Sequence, residues 1–219
     1  MITYEQLRQN ADINTYITRA DESLSALGFT EHSFPHVCRV AEIAGETLRI
    51  LGYDDHQIEL TRIAAYLHDI GNLVNRVDHS QSGAVMAFRI LDHMDMDAAD
   101  IATIVTAIGN HDEGTGVPVN AVAAALILAD KSDVRRNRVR NRDIATFDIH
   151  DRVNYSVEHS ALRILPQEKV ARLELTVDTQ FSSVMDFFEI FMKRMLLCRR
   201  AAERLGLKFQ LTINGQQLI

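Results

Sequence analysis

The stretch Ala64-Ala65-Tyr66-Leu67-His68-Asp69-Ile70-Gly71 ends an apolar helical pattern on an imidazole, a carboxylate and a glycine. Leu60, Ile63, Ala64 and Leu67 recur at steps of three and four, the spacing that gathers side chains on one helix face. Asp54 or Asp55 can cap the start of that helix, and Gly71 lies just past its end. His68 and Asp69 therefore stand where a buried helix meets a loop. An imidazole beside a carboxylate fits a metal pair, and the carboxylate has two oxygens with which to bridge two metals. The dipeptide alone decides nothing, because His-Asp also occurs at 111 and 150. Its position carries the argument.

The same texture extends on both sides. Ser33 and Pro35 read as a helix start and Gly52 as its stop, with Val37, Val40, Ala41, Ala44, Leu48 and Leu51 forming a stripe between them. Ile101, Ile104, Val105 and Ile108 repeat the pattern, ended by Gly109. Val122 to Ala129 is apolar nearly all round, as suits a central helix buried on every side. From about residue 4 to 145 the chain reads as a helical bundle. After about residue 150 the pattern alternates. Ser160 to Ile164 and Val170 to Val177 read as strands around Pro166–Lys169, Ser182 to Leu205 as a helix, Lys208 to Ile213 as a strand, and Asn214-Gly215 as a turn. The expected fold class is mainly α: a helical domain over 1–155 with a small α/β appendage over 156–219, ordered strand–strand–helix–strand.

The totals agree with a globular chain. Of 219 residues, 47% are hydrophobic and 24% charged, enough to bury a core. The longest apolar run, Ala121 to Ala129, is too short to span a bilayer, and no signal-like segment opens the chain. Cys38 and Cys198 follow no ligand spacing and read as reduced thiols. A cytoplasmic location, no membrane association, and an oligomeric state open to a homodimer are the resulting expectations. The net charge of −7 argues against broad nucleic-acid binding. Lys131 to Arg142 is a local exception, with six basic residues against one acid, Asp133.

Other metal donors also fall at helix ends. His36 lies in the first turn of one helix with Arg39 one turn on; His111 follows Ile108-Gly109. Asp130 ends the apolar helix, where a buried anion demands a cation or several donors. His79 stands in a polar segment before Gly83 and a helical run from Ala84 to Leu91. Helix ends of this kind can converge in a bundle core. His32, His56, His93, His150 and His159 fit no part of this set and read as structural. Asp112 and Glu113, next to His111, could orient ligands or protonate a leaving group, but read first as surface acids near the site mouth.

The ordered set resembles the HD superfamily of metal-dependent phosphohydrolases. The matching pieces are His36-Val37-Cys38-Arg39-Val40, Tyr66 to Gly71, His79 to Gly83, Asn110-His111 and Ala129-Asp130-Lys131. The resemblance implies metal ligands His36, His68, Asp69 and Asp130, with His79 and His111 adding a second metal and Asp69 bridging. HD-GYP cyclic-dinucleotide phosphodiesterases have lysine where this chain has Asn72, and paired histidines where it has His111-Asp112. The spacing is more similar to bacterial HD-type dinucleoside polyphosphate hydrolases.

The resulting expectation is hydrolysis of a small phosphorylated substrate, a nucleotide or dinucleotide, by metal-activated water. Asp69 and Lys131 are the catalytic candidates. Lys131, Arg135 (one turn on, if the helix continues) and Arg76 are the phosphate-binding candidates. Mixed imidazole and carboxylate ligation suits iron or manganese, with zinc as a further option. Three rivals stand beside this reading: a di-iron oxygenase of the same fold, a noncatalytic nucleotide sensor, and RNA binding through Arg135 to Arg142.

Overall fold

The protein is described by a computed structural model covering residues 2–219. In chain order it runs α1 (Tyr4–Gln9), α2 (Ala11–Ala26), α3 (Phe34–Ile50), α4 (Asp55–Leu67), α5 (His79–His93), α6 (Ala98–Gly109), α7 (Ala121–Ser132) and α8 (Ile149–Ser156). Strands β1 (Val157–Leu165) and β2 (Val170–Val177), helix α9 (Val184–Arg204), and strands β3 (Lys208–Ile213) and β4 (Gln216–Gln217) complete it. The expected mainly helical class is what the structure has.

Local chemistry sets the helix ends. Pro35 sits at the start of α3, where its missing N–H is no loss. The Asp54 side chain accepts from the Gln57 backbone N–H, and Asn120 from that of Ala123, capping α4 and α7. Ser183 and Asp186 form a reciprocal capping box on α9.

Helix α7 is the central element. Ala123, Ala125, Leu126 and Ala129 face a cluster built with α3, α4 and α6. Ala124, Ile127 and Leu128 face a second cluster with β1–β3 and α9. Its uniformly apolar sequence thus has two partners, one on each side. Each fully buried leucine or isoleucine contributes about 1.5–3 kcal/mol relative to exposure. The strand layer is therefore packed on the bundle through one wall of α7.

The sheet order is β1-β2-β3-β4. β1 and β2 form an antiparallel hairpin closed at Leu165↔Val170, with a bulge near Val157. β2 and β3 are parallel, joined by α9 as a crossover, and β4 returns antiparallel through Asn214-Gly215. Both turn residues have positive φ, 50° and 79°, as a tight hairpin requires. The strands predicted at 170–177 and 208–213 match, and β1 begins three residues earlier than expected.

Two expectations are corrected. The bundle does not stay helical to about residue 145: α7 ends at Ser132, where Asp133 adopts φ −85°, ψ 67°. Beyond it the chain reaches α8 through extended backbone and two short 3-10 turns, Arg136–Arg138 and Ile144–Thr146. His79 is also not in a segment before a helix; it is the first residue of α5, and Asp78 turns into it at φ 57°. Among the described residues no helix is long and apolar enough to cross a membrane.

Candidate metal centre

Five segments deliver the donors. His36 comes from the first turn of α3, His68 and Asp69 from the end of α4, His79 from the start of α5, His111 from just beyond α6, and Asp130 from the last turn of α7. Gly71 makes the α4–α5 approach possible. A Cβ there would lie 2.0 Å from the His79 carbonyl oxygen and 2.4 Å from the Gly83 nitrogen. Only a glycine lets these backbones close, and their closure brings His79 beside Asp69.

All six predicted donors are brought together around Asp69. Its Oδ2 lies 3.5 Å from His36 Nε2 and 3.3 Å from His68 Nε2. Its Oδ1 lies 3.5 Å from His79 Nε2 and 3.9 Å from His111 Nε2. Asp130 Oδ1 completes the first group, 3.4 Å from His36 Nε2 and 3.7 Å from His68 Nε2. The carboxylate of Asp69 thus has one oxygen toward each of two imidazole pairs.

Hydrogen bonds on the far side of each ring fix the tautomers. Nδ1 of His68 donates to the Ala65 carbonyl at 2.7 Å, Nδ1 of His111 to Ile108 at 2.6 Å, and Nδ1 of His79 to Arg76 at 3.1 Å. Nδ1 of His36 donates to Asp133 Oδ2 at 2.7 Å. A neutral ring with its proton on Nδ1 presents a lone pair at Nε2. Here those lone pairs crowd together, His36 to His68 at 3.3 Å and His79 to His111 at 3.2 Å. Asp69 Oδ2 is also buried without a hydrogen-bond donor. Converging lone pairs and an orphaned carboxylate oxygen fit divalent cations, with Asp69 shared between them.

The same field acts on protons. In the metal-free protein burial disfavours charge on His68, but Asp69 and Asp130 outweigh it and push its pKa up to about 10, so a proton takes up the Nε2 lone pair until a cation displaces it. Burial, reinforced by His68 and Lys131, holds His111 down to about 3. Against burial, His68 and His36 keep Asp69 well below the ordinary carboxylate range, and Lys131 does the same for Asp130. The two carboxylates create a strong demand for positive charge between them.

Around the donors lies a layer that the sequence only partly disclosed. Asp133 is fully buried, accepts from His36 and from Arg135 Nη2 at 3.0 Å, and forms an ion pair with Arg39, whose Nε lies 3.1 Å from Oδ1. Arg135 is therefore not a phosphate candidate: because α7 stops at Ser132, it turns back onto Asp133 and does not line the cavity. Three more arginines of the basic run are also engaged. Arg136 donates to the Tyr155 carbonyl, Arg138 to the Glu31 and Asp133 carbonyls, and Arg140 pairs with Asp21. Lys131 Nζ is 2.7 Å from Asp130 Oδ2 and 3.2 Å from Glu113 Oε2. Glu113 in turn accepts from Arg194 Nε on α9 at 2.9 Å. The expected surface acid is thus an internal link. Asn72 donates to the backbone and side-chain oxygens of Asp69, at 2.8 and 3.1 Å, holding that carboxylate in place.

A cavity of about 430 Å³ opens over the donors. Lys131 and Arg76 line it, as do Arg138, Lys193 and Arg194. His32 and His150, both read as structural, are on its wall. For His32 a usable signal existed, its place four residues before His36. For Lys193, Arg194 and His150 there was none, because α8 and α9 reach the site only through tertiary packing.

Part of the chain matches a known family. The HD domain family model matches residues 34–152, from the start of α3 into α8. The chain is 26% identical to the uncharacterized protein MJ1020 of Methanocaldococcus jannaschii over 200 residues, covering 81% of this chain and 76% of that one. It is also similar to the crystal structure of a predicted HD superfamily hydrolase from an uncultured Thermotogales bacterium. That likeness has 28% identity and a TM-score of 0.45, and covers 57% of this chain and 67% of that one. With more than half its length matched by that model, and with His68-Asp69 inside the matched region, the chain belongs to the HD domain family.

Proposed function

We propose that this protein is a metal-dependent phosphohydrolase acting on a phosphate ester or phosphoanhydride, with a nucleotide or dinucleotide as the substrate class. The observation that carries this reading is the Asp69 carboxylate, with one oxygen toward His36 and His68 and the other toward His79 and His111, at the floor of a cation-lined cavity. His36, His68, Asp130 and Asp69 would hold one divalent cation, and His79, His111 and Asp69 a second. Such ions lower the pKa of water and polarise a phosphoryl oxygen. Imidazole–carboxylate ligation favours iron or manganese over magnesium or calcium.

The chain's own groups supply the rest. Lys131 has three N–H donors, two of them directed to Asp130 and Glu113, so one is left for a phosphoryl oxygen in the cavity. Arg76, part-buried beside His79 and 5.7 Å from the Phe29 ring, also lines the cavity and suits a second anionic oxygen. Leu27, Phe29 and Ile190 give an apolar surface against which a base could rest.

The test is phosphate release from a panel of aryl phosphates, nucleotides and dinucleoside polyphosphates by protein loaded with Mn2+ or Fe2+. Turnover abolished by Asp69→Ala is the expected result. Oxygen uptake coupled to substrate loss by ferrous protein, without phosphate release, would replace this reading with the oxygenase. Tight nucleotide binding with no turnover under any metal would replace it with the sensor.

A further inference from the structure

A line of four charged side chains runs from the metal donors into the C-terminal layer. Asp130 turns Oδ1 toward His36 and His68 and Oδ2 toward Lys131 Nζ at 2.7 Å. Lys131 reaches Glu113 Oε2 at 3.2 Å, and Glu113 Oε1 accepts from Arg194 Nε at 2.9 Å. Arg194 is itself held in plane, its guanidinium carbon 4.3 Å from the centre of the Phe191 ring one turn away on α9. Asp130, Lys131, Glu113 and Arg194 all line the cavity.

This line is not needed to join α7 to α9. Ile127 and Leu128 of α7 already pack in one apolar cluster with Leu197, Cys198 and Ala201 of α9. Ion pairs withdrawn from water contribute little net stability compared with apolar residues of similar volume. What the line does is geometric. Lys131 sits on a flexible four-carbon stem, and Asp130 alone would leave its ammonium free to pivot. Glu113 provides a second fixed acceptor, and Arg194 fixes Glu113.

We propose that Arg194 is a positioning residue of the phosphate subsite, acting through Glu113 to hold the Lys131 ammonium with its third N–H toward the cavity. The C-terminal layer then completes the site over the helical domain: α9 sets the direction of the cation that meets the phosphoryl group. This rests on the phosphohydrolase reading, since it assigns the ligand of Lys131 as a phosphoryl oxygen.

The experiment is calorimetric titration of inorganic phosphate into Mn2+-loaded protein, wild type against Arg194→Met, Arg194→Lys, Lys131→Met and the double variant Arg194→Met/Lys131→Met. Arg194→Met is expected to weaken phosphate binding about tenfold, the size of one charge-assisted hydrogen bond, with Mn2+ content unchanged. Arg194→Lys is expected to recover part of the loss. The double variant is expected to bind no more weakly than Lys131→Met alone, because both act on the same contact. Wild-type affinity in Arg194→Met, or losses that add in the double variant, would overturn the proposal. Glu113→Gln breaks the line from its other end and must reproduce the loss even if Arg194→Met does not fold. Wild type that hydrolyses phosphate esters while Arg194→Met and Glu113→Gln bind phosphate normally overturns the positioning role alone. Wild type that neither binds phosphate nor hydrolyses esters overturns the reading beneath it.

Discussion

Replacing Asp133 with Asn tests how the metal donors are oriented. Asp133 accepts the Nδ1 proton of His36 at 2.7 Å, and this bond keeps the Nε2 lone pair directed at Asp69 and Asp130. An amide of the same shape can still accept through its oxygen, but it loses the charge and can instead present its NH2 to the ring. Loss of such an outer partner typically lowers metal affinity about 10–100-fold, or about 1.4–2.8 kcal/mol. The effect on stability has a separate source. Arg39, Arg135 and Arg138 all lose a carboxylate partner, yet Arg138 keeps its bonds to the Glu31 and Asp133 carbonyls. We therefore expect a loss of about 1–3 kcal/mol, below that of a wholly stranded buried charge.

The same substitution has a pH signature. Against burial, His36 and Arg135 hold the Asp133 carboxyl well below the ordinary carboxylate range. A depressed folded-state pKa gives stability that is complete above the unfolded value of about 4 and is lost as pH falls through the folded one. Asp133→Asn should therefore show a shallower loss of stability on acidification than wild type. The assays are Mn2+ titration calorimetry at neutral pH and urea denaturation of the metal-free protein along a pH series. Unchanged Mn2+ affinity in a folded Asp133→Asn protein would refute the orienting role, whatever the stability data show.

Further predictions follow from packing. Gly71→Ala places a methyl group on the His79 carbonyl and the Gly83 nitrogen, so it should destabilise the protein by about 3 kcal/mol or more and disrupt the His79–His111 pair. Metal content below that of wild type, with a lowered Tm, is the expected result; full metal loading at wild-type Tm would show that the two backbones need not close. Burial pushes the Cys198 thiol up to about 12, so iodoacetamide should leave it unmodified in native protein at about pH 8 and label it only after denaturation. Mass spectrometry of labelled peptides checks this, and rapid native labelling at Cys198 would contradict the packing of α9 on α7.

The legible part of this protein was what sits at helix ends. Apolar stripes of period 3.6 locate α3, α4 and α6, and the residues just beyond or at their tips are the candidate donors, so the sequence could single out His36, His68, Asp69 and His111, which the fold brings together. Asp130 was legible because a carboxylate closing a helix as apolar as α7 must have a cation. Arg135 was misread because the helical period was carried past Ser132, where the Asp133 backbone leaves the helix to let its side chain meet His36. The lone acid inside a basic run was a visible sign of that hub. Glu113 and Arg194 are different, since their contact joins residues 81 positions apart and no periodicity encodes it. The cavity's far wall was hidden for the same reason.

A centre in which Asp69 is shared between two cations can be tested by counting them. The most direct measurement is metal content by inductively coupled plasma mass spectrometry after anaerobic loading with Mn2+ or Fe2+ and removal of free ion. About two equivalents per chain are expected in wild type, falling to about one in His79→Ala/His111→Ala and to none in Asp69→Ala. One equivalent or fewer in wild type, or a full complement retained by Asp69→Ala, would contradict the shared centre.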